Sequence, residues 1–221
     1  MTRHAITFTL LLAALSVSPP ARGAVITIGP FQGTYSEDFN NLPDGAQQEA
    51  SIMGGFGTVR NLTEGGALKV EFSSSLGGVL VLPRSPPRML GQLGISEWDF
   101  DTPVTRFGGY FANNSRFPDA RVDFYDVNGA RIDSLPALAP IARFPQDWIW
   151  NGWQSDVPIK SLVITGNDVE FFNGFIWFDD FEATPSPAPE PSSLVLSGLG
   201  GLIVALVYCG KRARSRVAPA G

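Results

Sequence analysis

Two sets of side chains have the types and spacing to do chemistry. The first is acidic. Ser36-Glu37-Asp38 lies near the front of the chain and Asp179-Asp180 far along it. Calcium takes hard oxygens, which carboxylates and turn carbonyls supply. Glu37, Asp38 and Asp180 would form such a cage if the first and last strands lie together. Adjacent strand residues point to opposite faces, so only one of Asp179 and Asp180 can serve a given site. The bland alternative is surface acids, or Asp side chains capping turns. The second set is aromatic: Tyr110, Trp148, Trp150 and Trp153. Tyr110, Trp150 and Trp153 are the candidates for a platform that stacks on the apolar face of a sugar, with Asn151 or Gln154 bonding hydroxyls. The alternative is core filling, the usual fate of Trp in a β-sandwich.

Two absences narrow the chemistry. His4 is the only histidine and Cys209 the only cysteine, and both lie in the terminal segments. The intervening body can form no disulfide. It can build neither a Ser-His-Asp nor a Cys-His nucleophile, and no zinc site of nitrogen and sulfur ligands. Any metal must be held by oxygen, which favours calcium, and no other cofactor is implied. Carboxylate pairs of the kind that hydrolyse glycosides stay open in principle, but nothing marks one pair out. The body therefore reads as non-catalytic.

Charge excludes another class. The chain carries 16 basic and 21 acidic residues. With both ends set aside, residues 24–184 keep 10 basic and 20 acidic residues, a balance near −10. Nucleic-acid binding needs a basic footprint, so no nucleic-acid partner is expected. Cations are attracted.

The elements that must position these residues read as strands. Ala24–Ile28, Ala67–Phe72, Gly78–Leu82, Val104–Phe111, Arg121–Tyr125, Arg131–Leu135, Lys160–Thr165 and Phe175–Glu182 are short apolar or alternating runs bounded by turn residues. Asp126-Val127-Asn128-Gly129 signals a hairpin. Ser85–Ile95 and Pro136–Trp150 read as irregular. In the last run, Phe175, Trp177 and Asp179 fall on one side, and Ile176, Phe178 and Asp180 on the other. The fold class is all-β, a jelly-roll-like β-sandwich whose first and last strands lie together.

The ends carry addresses. Residues 1–23 read as a signal peptide: Arg3, an apolar core over Ala5–Val17, and small residues at Ala21 and Gly23 before Ala24. Residues 185–193 are a Pro/Ser-rich linker containing Pro189-Glu190-Pro191. Residues 194–209 carry no charge and span about 24 Å as a helix, against about 30 Å of hydrocarbon. A single transmembrane helix is expected there, short for a permanent anchor. Residues 210–221 form a basic tail in which Lys211, Arg212 and Arg214 favour the cytoplasmic side.

That order of Pro-Glu-Pro, a Gly/Leu-rich apolar run and an Arg-rich end resembles the PEP-CTERM sorting signal of Gram-negative bacteria. The resemblance covers 189–216, with Ala188 where the family usually has Val. It implies an exosortase-type membrane protease as partner, acting near Pro189-Glu190-Pro191. It also implies a single-pass precursor exported across the inner membrane and destined for the cell surface or the extracellular space. The order Phe107-Gly-Gly-Tyr, then Val122-x-Phe-Tyr-Asp-x-Asn-Gly, then Trp150-Asn-Gly-Trp, then Phe178-Asp-Asp-Phe loosely resembles jelly-roll carbohydrate-binding-like ectodomains found on such proteins. It implies an exopolysaccharide as a possible ligand. The alternatives are a secreted polysaccharide-acting hydrolase and a simple C-terminally anchored structural surface protein.

Overall fold

Alternation of apolar and polar residues puts almost every stretch of the body into strand. The structure, a computed structural model, describes residues 24–76, 79–114, 119–166 and 175–187. In chain order the strands are β1 (Val25–Thr27), β2 (Tyr35–Glu37), β3 (Gly45–Gln47), β4 (Glu49–Ile52), β5 (Gly57–Asn61), β6 (Ala67–Glu71), β7 (Ser74–Leu76), β8 (Val79–Val81), β9 (Met89–Leu93), β10 (Ile95–Asn113), β11 (Asp119–Tyr125), β12 (Arg131–Leu138), β13 (Ile149–Thr165) and β14 (Ile176–Pro185). Two single-turn 3-10 helices, Met53–Gly55 and Pro145–Asp147, complete the described elements. Among the described residues no helix is long and apolar enough to cross a membrane. The expected signal peptide, Pro-Glu-Pro element, apolar run and basic tail lie outside the described residues.

β10 and β13 organise the molecule. They pair antiparallel along their whole lengths, from Ile95↔Thr165 to Phe111↔Ile149. The ladder is irregular only in the middle, between Asp99↔Ser161 and Arg106↔Gln154. Pro103 and Pro158 fall in that interval. Proline has no N–H to give a ladder and is tolerated where pairing is already broken. On one side of the irregularity, β10 takes β5 as its other neighbour and β13 takes β11. On the other side, β10 takes β14 and β13 takes β1. The two halves of each long strand thus belong to two different layers, and the result is an open β-sandwich.

The core shows that the layers face each other. Phe124 of β11 meets Trp153 of the opposite layer at 5.5 Å between ring centroids. Trp98 of the first layer meets Phe178 and Phe181 of β14 at 5.4 and 4.7 Å. All five rings are buried, and truncating one such ring to Ala typically costs about 3–5 kcal/mol. A buried polar relay satisfies Trp98. Its indole donates to Ser96 Oγ at 2.9 Å, Ser96 donates to Gln92, and Gln92 Nε2 donates to the carbonyls of Gly94 and Ile164.

A second, smaller cluster lies apart from this core. Trp177, Ala112 and Met89, from three neighbouring strands, pack with Val81, Ala142 and Trp148. The expected alternation of Trp177 against Ile176 and Phe178 holds, because Trp177 belongs to this cluster and the other two to the main core. The hairpin at Asp126–Gly129 also forms, with Gly129 alone at positive φ and Asp126 Oδ1 accepting the N–H groups of Asn128 and Ala130.

Two expectations are corrected. Ser85–Ile95 is not irregular throughout. Met89–Leu93 is a fully buried strand, whose lack of alternation hid it. Pro136–Trp150 begins in β12 and ends in β13, with the loop confined to the middle.

Candidate functional site

The last strand breaks its own alternation. Between Gly108↔Glu182 and Tyr110↔Asp179 the β10–β14 register slips by one residue, and Asp180 sits at φ 48°. This is a β-bulge, a device that re-aims side chains. Phe178 and Phe181 both reach the main core as a result. Asp179 and Asp180 both turn to one loop, the Arg84-Ser85 segment that follows Pro83. Asp179 Oδ2 accepts the Ser85 N–H at 2.8 Å, and Asp180 pairs with the Arg84 guanidinium. The bulge interrupts the two-residue period, so both acids reach this segment, although of the two only Asp180 lines the cavity beside it.

Beside this bulge lies a cavity of about 630 Å³. Trp150 forms one wall. Its ring lies across two glycines: a Cβ on Gly108 would come 2.6 Å from the indole, and one on Gly152 2.4 Å from it. The Trp150 indole N–H donates to the Ile28 carbonyl at 3.2 Å. Phe31 and Tyr110 stand edge-on to it, at 5.7 and 5.2 Å. The Arg84 guanidinium lies over the Tyr110 ring, 3.6 Å from its centroid.

Glu37, Asp38, Asp180 and Glu182 line the same cavity, as do Ser36 and Asn41. Glu37 is buried and fully engaged. Its two oxygens accept the N–H groups of Phe39 at 2.7 Å and Met53 at 2.5 Å. Burial pushes its pKa up in spite of those bonds. Phe39 and Met53 both hold positive φ, 59° and 55°. Such residues cost about 1–3 kcal/mol each unless the surroundings over-determine them. Glu37 is that surrounding. Asp38 accepts the Asn40 N–H, and Glu182 accepts the Gly33 N–H. Burial pushes the Asp179 carboxyl up to about 8, against the N–H bonds from Ser85 and Asp180 that favour its ionised form.

The loops that carry these groups are tied together. Arg88 donates to the carbonyls of Asn40 and Leu42 and pairs with Asp44 at 2.8 Å. Asn40 Oδ1 accepts the Arg88 N–H. The Trp148 indole donates to the Leu82 carbonyl at 3.0 Å.

Tyr110, Trp150, Glu37, Asp38 and Asp180 therefore line one cavity, which joins residues of two sets that the sequence reading kept apart. Trp153 does not join them. It is 1% exposed and packs in the main core on Phe107 and Phe124. Three positions separate it from Trp150, an odd number, which puts the two rings on opposite faces. Trp148 is buried in the smaller cluster. Asn151 is spent on the Leu138 N–H and carbonyl, and Gln154 accepts from Arg106. Of the acids expected to form a calcium cage, Glu37 is bound to main-chain donors and Asp180 to Arg84, and no group of three or more metal-ligating side chains is found among the described residues. Sequence reasoning missed Arg84, Phe31 and Glu182. Phe31 follows Gly29-Pro30 and Arg84 follows Pro83, and a turn proline before an aromatic or a base was the available signal.

No family model matches the chain, and no curated protein matches it. Solved structures do. A tandem of two CBM22 domains from Paenibacillus barcinonensis Xyn10C is 16% identical at a TM-score of 0.41, covering 73% of this chain and 49% of its own. This chain thus spans about half the length of that tandem. TmCBM61, solved with β-1,4-galactotriose, is 12% identical at a TM-score of 0.34, covering 59% of this chain and 88% of its own. The family 11 carbohydrate-binding module of the cellulase Lic26A-Cel5E of Clostridium thermocellum is 7% identical at a TM-score of 0.35, covering 73% of this chain and 100% of its own.

Proposed function

We propose that this chain is an exported bacterial protein of the cell surface or extracellular matrix, that its sandwich body binds a polysaccharide without cleaving it, and that residues 189–216 are a PEP-CTERM sorting signal read by an exosortase-type membrane protease. One observation carries the binding reading. Trp150 is held across Gly108 and Gly152, with Phe31 and Tyr110 edge-on, beside a cavity lined by Ser36, Asn41 and carboxylates. A fixed aromatic face with a few polar groups beside it is the composition of a small-molecule site. It suits a sugar ring, with its apolar face and its rim of hydroxyls.

The non-catalytic reading rests on Asp179. It has the raised pKa that a general acid requires, but it is fully buried and both its oxygens are bound to main-chain N–H groups. The sorting reading rests on the order of Pro189-Glu190-Pro191, an uncharged run and a basic cluster. Pro189 and Pro191 keep that element out of helix, in a form a membrane-embedded protease can grip.

The binding test is a polysaccharide panel probed with the parent protein and Trp150→Ala. Retention that drops by about tenfold or more with the melting temperature preserved supports the site, and unchanged retention overturns it. Turnover of a bound polymer would replace binding with hydrolysis. The sorting test is Glu190→Ala in a host that has the exosortase. A larger, membrane-retained form is expected. Equal mass and equal membrane fraction would leave an ordinary anchored surface protein.

A further inference from the structure

The cavity beside Trp150 is more acidic than stacking on a sugar requires. Glu37, Asp38, Asp180 and Glu182 line it against one base, Arg84. Arg84 is already committed, lying over Tyr110 and paired with Asp180. It has no free charge for the carboxylate of an acidic sugar. Glu37 is committed to Phe39 and Met53. Asp38 and Glu182 are only half used. Asp38 Oδ1 takes the Asn40 N–H at 3.0 Å and Glu182 Oε2 takes the Gly33 N–H at 2.8 Å. The second oxygen of each has no donor among the described residues.

Half-used carboxylates in a cavity that aromatic rings also line favour a cation in two ways, by charge and by the negative faces of the rings. A hydrogen bond between an ammonium and a carboxylate is among the stronger kinds. The balance of the body, near −10 over residues 24–184, adds a field of the same sign. An acidic glycan meets repulsion both at long range and in the cavity.

We infer that the cavity selects a glycan bearing a free, protonated amine, a de-N-acylated amino sugar, over neutral and acidic glycans. Trp150 lies under the sugar ring, and Asp38 and Glu182 receive the ammonium. This rests on the polysaccharide-binding reading above and gives it a chemical class.

The test titrates the exported protein with three probes of equal length: glucosamine oligomers, N-acetylglucosamine oligomers and oligogalacturonate. Calorimetry at two salt concentrations is the readout. Glucosamine oligomers are expected to bind at least about tenfold tighter than their N-acetylated counterparts, the size of one charge-assisted contact, with the preference shrinking as salt rises. Asp38→Asn with Glu182→Gln is expected to bring the ratio of affinities close to one, by weakening glucosamine binding more than N-acetylglucosamine binding. Both amides keep an acceptor oxygen for Asn40 and Gly33, and a thermal melt checks that the fold is retained. Equal affinities in the parent protein, or tighter binding of oligogalacturonate, overturn the inference. So does a preference that survives the double substitution, because it then belongs to the charge of the whole body. In each of those cases, binding lost in Trp150→Ala still supports a polysaccharide site. Failure of every polymer to show Trp150-dependent binding removes both readings.

Discussion

Gly109 and Phe181 share one place in the core: a Cβ on Gly109 would lie 1.6 Å from Cδ1 of the Phe181 ring. The bulge at Asp180 brings Phe181 there, so a strand glycine and a strand irregularity are two sides of one fit. Gly109→Ala has no rotamer with which to escape. We expect a loss of about 3 kcal/mol or more, at the upper end of overpacking costs, read as a fall in denaturant midpoint. Adding Phe181→Leu should recover part of it. A Gly109→Ala variant as stable as the parent would mean that the ring is not held against this backbone.

Asp179 predicts a pH dependence. Its folded-state pKa is about 8, whereas an unfolded Asp ionises near 4. Between those values the folded protein holds a proton that the unfolded chain has released. Stability from this group is therefore full below about pH 4, falls as pH rises, and levels off above about pH 8. Glu37, also raised by burial, acts in the same direction. Asp179→Asn should flatten most of the decline in melting temperature between pH 5 and 8, by roughly the range over which the acid titrates. A decline equally steep in the variant would assign it elsewhere.

Glu37 predicts a contrast between two substitutions. Glu37→Ala leaves the buried N–H groups of Phe39 and Met53 without an acceptor, at a cost of about 1–3 kcal/mol for each. Glu37→Gln keeps one acceptor oxygen and should cost less than half as much. Urea titration separates the two. Equal losses would show that volume matters at this position and hydrogen bonding does not.

Much of the body was legible because several strands bury one face and leave the other wholly or partly exposed. Val122 with Phe124, and Leu162 with Ile164, alternate cleanly and lie in the core. The Asp126–Gly129 turn was readable from its side-chain chemistry. The lengths of β10 and β13 were not. Each contains a proline and changes neighbours half-way, so each reads as separate short runs. The cavity was half legible. Acids from the two ends of the body do meet, but a bulge decides where Asp180 points, and no local pattern in Phe178-Asp-Asp-Phe announces one. Arg84, the cation that pairs with Asp180, sits on a loop whose position is set by Trp148, Asn40 and Asp179, three residues distant in sequence. The separation of Trp150 from Trp153 was readable by counting.

The irregular step at Pro103 and Pro158 gives the sandwich no seam. Its two layers are joined along continuous ribbons, and Val104, at the crease, partners both Ile159 and Pro185. Neither layer can peel away while the other stays closed, because loosening one half of β10 or β13 pulls on the register of the other. Melting should therefore be a single event, and the amides of Trp98 and Phe111, in opposite layers, should exchange with solvent through the same global opening.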